Sequence, residues 1–371
     1  MRAWKVAKPG LDNTFLTENV PVPELTGDYD ILIKVLAVGL NPIDYKIADS
    51  FDEDVPSTLG LDACGLVARV GNKVNKEEFL PGKTVVLMLG DIESKHGYFA
   101  EYTIHDSRHL SIVPESIYQE KDLVDIACNL AALPFPAFTA YQIICNKLKL
   151  PLFDHHKNSS SAKIVRNIFV NDGFVGVGAF CLQLLKLWRD HLPNEEKELV
   201  KIITTCPPED EGFVKSLGAT EVIACGEAEI VKKCQDLTEN FGVDIFIDTV
   251  GGGKNVKIAM ETLSFGGELV LSTGGVGKNL DLKSLWKKSQ SLHYVLALHH
   301  YIVTEDEKLE ELTKIGDRIL KLYQKGLLDP LVTEKICFED IQISLKELQN
   351  EKKHVKGKIV ARATESKYKI Y

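Results

Sequence analysis

The chain has 371 residues, of which 44% are hydrophobic and 26% charged, and a formal net charge of -9. That length carries roughly two globular domains. The net acidity weighs against nucleic acid as a partner, and no apolar run approaches the ~18–20 residues of a membrane span.

Residues 1–136 read as mostly β, with strand-like runs at Arg2–Ala7, Phe15–Val20, Ile31–Leu40, Gly65–Val70, Thr84–Leu89 and Ala100–Thr103. Pro, Gly and Asp punctuate them, which suggests a small barrel or folded-over sheet. The N-terminus starts directly as a strand, without the apolar core of a secretory signal. Helical spacing begins at Phe138–Lys149, and Pro151–Ala162 reads as an exposed loop. His155-His156 within it is read as solvated rather than metal-binding.

Strands then alternate with helices. The strands are Ile164–Val170, Val200–Thr205, Glu221–Ala224, Val243–Thr249 and Gly267–Thr273; helices fall near 178–190, 209–217, 227–241 and 253–264. Such alternation implies a parallel sheet covered on both faces. An amphipathic helix over 305–326 follows, then a strand Leu331–Phe338, a helix Ile341–Glu351 and a strand Lys358–Ala363. This tail is expected to return to the first domain. The cysteines, at 64, 128, 145, 181, 206, 225, 234 and 337, form no Cys-x-x-Cys pair, so reduced thiols and a cytoplasmic location are expected.

The chemistry-bearing stretch is Ile164–Val170 followed by Gly173-Phe-Val175-Gly176-Val177-Gly178 and an apolar helical stripe. A strand, a glycine turn and a helix bring a diphosphate against backbone N–H groups at a helix N-terminus. Alone, the same run is equally a plain connection between strand and helix.

Further stretches resemble, in order, the medium-chain dehydrogenases/reductases, in the zinc-independent quinone oxidoreductase (zeta-crystallin-like) and enoyl reductase branch. They include Val38–Lys46 with Asn41-Pro42 and Tyr45, Gly60–Gly71, Gly97–Tyr102, Phe138–Tyr141, Val214–Ala219, Asp244–Gly251 and Lys356–Val360. The resemblance implies an α/β chain in which a doubly wound Rossmann domain (137–297) is inserted into a mostly-β GroES-like catalytic domain (1–136 and 298–371), with a homodimer through the last Rossmann strand near Ser291–Leu298. It also implies hydride transfer from NADPH, with NADH the alternative, to a small-molecule quinone or enone.

Zinc is not expected. A catalytic zinc takes three Cys, His, Asp or Glu ligands, and Leu61 stands where zinc-dependent relatives carry a histidine. Asp44 and Asp62 are read as buried or capping carboxylates. For the cofactor, the resemblance and the rule that ligands sit at strand carboxyl ends give Thr139, Gly173, Val175, Gly176, Val177, Gly178, Val250, Gly251, Thr273, Gly274 and Lys358. The second Rossmann strand ends Thr204-Thr205-Cys206 with no acid, which favours NADP. Yet Glu209-Asp210-Glu211 follows, and no cation appears before Lys215. Tyr45 is the candidate proton donor and Asn41 the candidate orienting group. His299-His300 and Tyr301 lie where relatives line the substrate pocket, and each histidine is read as a satisfied surface or core residue rather than a pocket group. Two rivals remain at this stage: a non-catalytic member that keeps the fold, and a zinc-free alcohol/aldehyde oxidoreductase.

Overall fold

The computed structural model describes residues 1–50, 57–92, 94, 96–152, 165–224, 229–273, 275, 283–296, 310–350 and 355–363. His155-His156, Gly274 and His299–Tyr301 lie outside the described residues. The chain divides into two compact units, Met1–Phe138 with Leu298–Tyr371, and Thr139–Ala297.

The first unit begins with a hairpin of β1 (Ala3–Val6) and β2 (Thr14–Thr17). Its main sheet contains β3 (Asp30–Gly39), β4 (Asp62–Val70), β5 (Val85–Leu89), β6 (Tyr102–Asp106) and β7 (Ser111–Ile112), with β14 (Val332–Cys337) and β15 (Lys358–Arg362) from the tail. The order is β14-β15-β3-β4-β5-β7, and β6 also pairs β3. The tail therefore does rejoin the first unit, β15 lying antiparallel to β3. β3 is buried on both faces, from Ile31 through Gly39 except for Lys34, so it lacks the polar alternation of a half-exposed strand. Its side chains join Tyr98, Phe99 and Phe338 in the core.

Helices also interrupt the β pattern where the sequence suggests none, two of them longer than a single turn. Pro42–Asp49 opens with Pro at its first turn, and the Asn41 N–H donates to Asp44 Oδ2 at 2.7 Å. Leu123–Ala131 is capped by Asp122, which accepts from the N–H groups of Val124 and Asp125. Both use local capping chemistry that satisfies otherwise orphaned helix N–H groups.

The second unit holds a parallel sheet of β8 (Asn167–Asn171), β9 (Lys201–Thr205), β10 (Glu221–Ile223), β11 (Val243–Asp248), β12 (Leu263–Leu271) and β13 (Ser291–Tyr294). The order is β10-β9-β8-β11-β12-β13, the doubly wound arrangement with its switch point between β8 and β11. Ile168, Phe169 and Val170 are fully buried, and Phe169 stacks on Phe246 of β11 at 4.4 Å. The helix after β8 runs Gly176–Asp190, two residues earlier than its apolar stripe suggests. The helix expected over Phe138–Lys149 starts at Pro134 and widens to π-helical turns over Gln142–Lys147. Among the described residues no single helix is long and apolar enough to cross a membrane.

Candidate functional site

The carboxyl ends of β8, β9 and β11 in the second unit form a cleft of about 510 Å³, lined by Asn171, Asp172, Phe174, Thr205, Cys206, Pro207, Pro208, Ala224, Ile230, Val250 and Asn255. Hydrogen bonds lace its rim. Thr205 Oγ1 accepts from the Asp172 N–H at 2.9 Å and donates to Asn171 Oδ1 at 3.0 Å. Asn171 Nδ2 donates to Asp248 Oδ1 at 3.2 Å, and the same oxygen accepts from the N–H groups of Val250 and Gly251. Three strand ends are thus tied through side chains, which fixes the floor of the cleft.

The glycine turn has three distinct steric roles. A side chain at Gly173 would run into the Thr204 hydroxyl, and one at Gly178 into the Asp172 carbonyl oxygen. These two glycines let the helix start close against the strand end. Gly176 has φ +49° with open space beside it, so the backbone there is free to meet a ligand. Val175 caps the helix in an extended conformation, and Val177 lies in its first turn, both half-buried. The turn with its following N–H groups fits a diphosphate.

Several expected cofactor contacts are placed otherwise. Thr204 is fully buried and its hydroxyl donates to the Val170 carbonyl at 2.7 Å, beneath the turn and out of ligand reach. Strand alternation turns Thr205, not Thr204, to the cleft. Lys215 is on the helix Glu211–Leu217, where its ammonium bonds Glu211 Oε1 at 2.6 Å. None of the described lining residues is cationic. Thr139 is buried in its helix. Val250 and Cys206 do line the cleft, Gly251 closes against Thr273, and the Thr273 hydroxyl is buried there with no hydrogen-bond partner among the described residues.

Sequence reading passed over Asp172. It has φ +63° and is half-buried at the end of β8. Burial first, then the charge of Asp248, pushes its carboxyl up to about 7. The Cys206 thiol is pushed up to about 11, by burial and then by Asp210, Glu211, Asp172 and Glu209. The β9 end is therefore an acidic corner, with Lys215 paired to Glu211 beside it.

The first unit carries a second polar arrangement. Lys358, 3% exposed, donates to the Leu40 carbonyl (3.0 Å), Asn41 Oδ1 (2.6 Å) and Asp62 Oδ2 (3.3 Å). Asn41 Nδ2 donates to Asp62 Oδ2 at 2.8 Å, and the Phe135 N–H to Asp62 Oδ1 at 2.6 Å. Asp44 lies alongside, fully buried. Burial raises its carboxyl to about 8, with Asp62 adding to the rise and Asn41 and Lys358 opposing it. Burial also raises Asp62, opposed first by Lys358.

Lys358 is therefore not a cofactor ligand, and the Asn41 amide is spent inside this cluster rather than on a substrate. The ammonium already occupies the centre of the oxygen acceptors, Leu61 is buried and apolar, and no group of three or more His, Cys, Asp or Glu converges among the described residues. Tyr45 is half-buried and packs on the core of this unit.

Comparison with known proteins matches residues 27–115 to the alcohol dehydrogenase GroES-like domain and residues 195–317 to the family described as zinc-binding dehydrogenase. A trans-enoyl reductase of Aspergillus terreus is 30% identical over 68% of this chain and 65% of its own length. The chain spans between 63% and 65% of the length of the first curated relatives it matches. Among solved structures, a mycobacterial protein complexed with NADPH has a TM-score of 0.77 at 21% identity, covering 98% of this chain and 100% of that one. A quinone oxidoreductase of Pseudomonas syringae has a TM-score of 0.74 at 19% identity, covering 97% and 99%. These two likenesses are of fold.

Proposed function

This chain belongs to the medium-chain dehydrogenase/reductase superfamily, in its zeta-crystallin-like branch, and we propose that it delivers a hydride from a reduced nicotinamide dinucleotide to a quinone or to the activated C=C bond of an α,β-unsaturated carbonyl. The observation that carries the reading is the glycine turn at the switch point of a doubly wound sheet, opening onto a cleft with pinned walls. The nucleotide, when bound, supplies the hydride. The chain holds the diphosphate on the N–H groups that follow Gly176, packs apolar surface from Ile230 and Val250 around the adenosine end, and fixes the strand ends through Thr205, Asn171 and Asp248. The names of an enoyl-reductase relative and a quinone-oxidoreductase neighbour support the two substrate classes.

The reaction is proposed to run without zinc, because the position a metal would take in the first unit holds Lys358. With no metal to stabilise an alkoxide, reduction of a conjugated acceptor is favoured over alcohol oxidation. Tyr45 is proposed to donate the proton that follows hydride transfer. A homodimer through β13 is proposed because this strand lies at the edge of the sheet among the described residues, ends in exposed Tyr294 and follows exposed Trp286. The cytoplasm is the proposed compartment, on cysteines that are free throughout the described residues. The proposed cofactor class is NAD(P)H; NADPH is the form named for the mycobacterial neighbour.

The test is a thermal and fluorescence titration with NADH and NADPH. A ligand at 100 times its Kd adds about 2.7 kcal/mol of stability. Absence of any shift with either nucleotide at millimolar concentration overturns the reading in favour of a non-catalytic member. Once binding is found, oxidation of the nucleotide by a quinone against an enone separates the two substrate classes.

A further inference from the structure

We propose that Asp172 reads the adenosine ribose, accepting a hydrogen bond from its 2′-hydroxyl and so selecting NADH over NADPH. This rests on the reading above that the cleft holds a nicotinamide dinucleotide.

In sheets of this topology the ribose acceptor stands at the end of the second strand. Here that strand is β9, and its end offers no free acceptor. Thr204 is buried with its hydroxyl on Val170. The Thr205 hydroxyl accepts from one neighbour and donates to another. Cys206 has a thiol in place of an oxygen.

The same end offers nothing to a 2′-phosphate. Pro207 and Pro208 line the cleft and lack N–H donors. The described lining residues include no Lys or Arg, and Lys215 is held by Glu211. The charges of Asp172, Glu209, Asp210 and Glu211 all bear on Cys206. A phosphate at this corner would meet an excess of carboxylates, with Lys215 already paired to Glu211.

Asp172 supplies what β9 lacks. It lines the cleft from the adjacent strand end, and its N–H bond to Thr205 fixes its backbone beside the β9 terminus. Among the described residues no donor is placed on its carboxylate, which leaves both oxygens for a ligand hydroxyl. A left-handed φ at a non-glycine residue is uncommon, though Asp and Asn tolerate it best. The conformation therefore admits Asn and Gly at this position, and each separates the carboxylate's chemistry from the backbone's shape.

The experiment is isothermal titration of the whole chain with NADH, NADPH and 2′-deoxy-NADH, in the native protein and in the Asp172→Asn and Asp172→Gly variants. The native chain is expected to bind NADH at least about tenfold tighter than NADPH, and to lose about tenfold on removal of the 2′-hydroxyl. In the Asp172→Gly variant NADH and 2′-deoxy-NADH should bind nearly alike and the preference over NADPH should shrink; Asp172→Asn keeps a neutral oxygen that still accepts from the 2′-hydroxyl, so it should lose only part of the preference over NADPH. Equal or tighter NADPH binding by the native chain overturns the proposal. So does a preference that the Asp172→Gly variant keeps or, should that variant fail to fold, one that Asp172→Asn keeps undiminished. Failure of the native chain to bind any of the three overturns the functional reading together with this one. Binding with an Asp172-independent preference overturns this one alone.

Discussion

Replacing Lys358 with Met removes the ammonium and keeps most of the side-chain volume. Three acceptors then lose their donor: the Leu40 carbonyl, Asn41 Oδ1 and Asp62 Oδ2. Breaking a buried ion pair costs about 3–5 kcal/mol, because the remaining charge is left uncompensated. Asp62 keeps two donors, Asn41 Nδ2 and the Phe135 N–H. Its carboxyl is already raised by burial, so it can also escape by taking a proton. Both effects place the loss near the lower end, about 3 kcal/mol at pH 7. In a domain of this size that is roughly 6–12 °C in Tm. Trp4 lies in the first unit, while Trp188 and Trp286 lie in the second. Fluorescence in a Trp188→Phe/Trp286→Phe background therefore reports unfolding of the first unit. Asp62→Asn should cost a similar amount, since it strands the cation, and the double variant should cost clearly less than the sum. A loss below about 1 kcal/mol for Lys358→Met, or strict additivity in the cycle, would refute the assignment of Lys358 as the internal counter-ion.

The Asp44 carboxyl sits near 8 in the folded chain, above its unfolded value, so the native state holds a proton that the unfolded state releases. Its stability contribution is full below about pH 4 and is lost as the pH rises toward 8, at up to ~1.4 kcal/mol per pH unit. Asp44→Asn should flatten the urea midpoint against pH between pH 5 and 8, and parallel profiles would contradict this. Gly173→Ala should destabilise the second unit by about 1–3 kcal/mol, because the new methyl meets the Thr204 hydroxyl; adding Thr204→Ala should recover part of that loss. Tyr45→Phe should slow enone reduction about tenfold or more with nucleotide affinity unchanged, and equal turnover would remove the phenol as proton donor. Trp286→Glu with Tyr294→Lys should shift sedimentation from dimer to monomer if β13 is the dimer edge.

The fold was legible because its signals are local. Short apolar runs, glycine spacing and strand–helix alternation each lie within a few residues of one another, and β8 with its turn could be read from one stretch. The Lys358 cluster was not legible in the same way. Lys358 and Asn41 are 317 positions apart, and Asp62 is 296 from Lys358. Only the return of β15 beside β3 brings them together. Thr204 is a different kind of miss. Residue type put a hydroxyl at the end of β9, but a strand turns successive side chains to opposite faces. One threonine faces the cleft and the other lies beneath the turn. Asp172 escaped because the usual place for a ribose acceptor is after β9, and a left-handed backbone at an aspartate leaves no mark in the sequence.

Asp62 and Asp172 are the same residue type at strand ends, and their surroundings separate their roles. Asp62 is fully buried and collects a cation, an amide and a backbone N–H, so its charge is answered inside the protein. That arrangement orders the segment around Asn41 and leaves no valence for a ligand. Asp172 is half-buried, is repelled by Asp248, and has no donor on its carboxylate among the described residues. Folding alone does not favour such a group, since a glycine would relieve the left-handed backbone and an apolar residue would avoid the repulsion. A carboxyl group left without an internal donor on the wall of a cleft has its unmet bonding turned toward what enters it. Thr205, Asn171 and the amide nitrogen of Asn255 on the same wall are already bonded within the protein, which leaves Asp172 as the carboxyl group on the wall without an internal donor among the described residues.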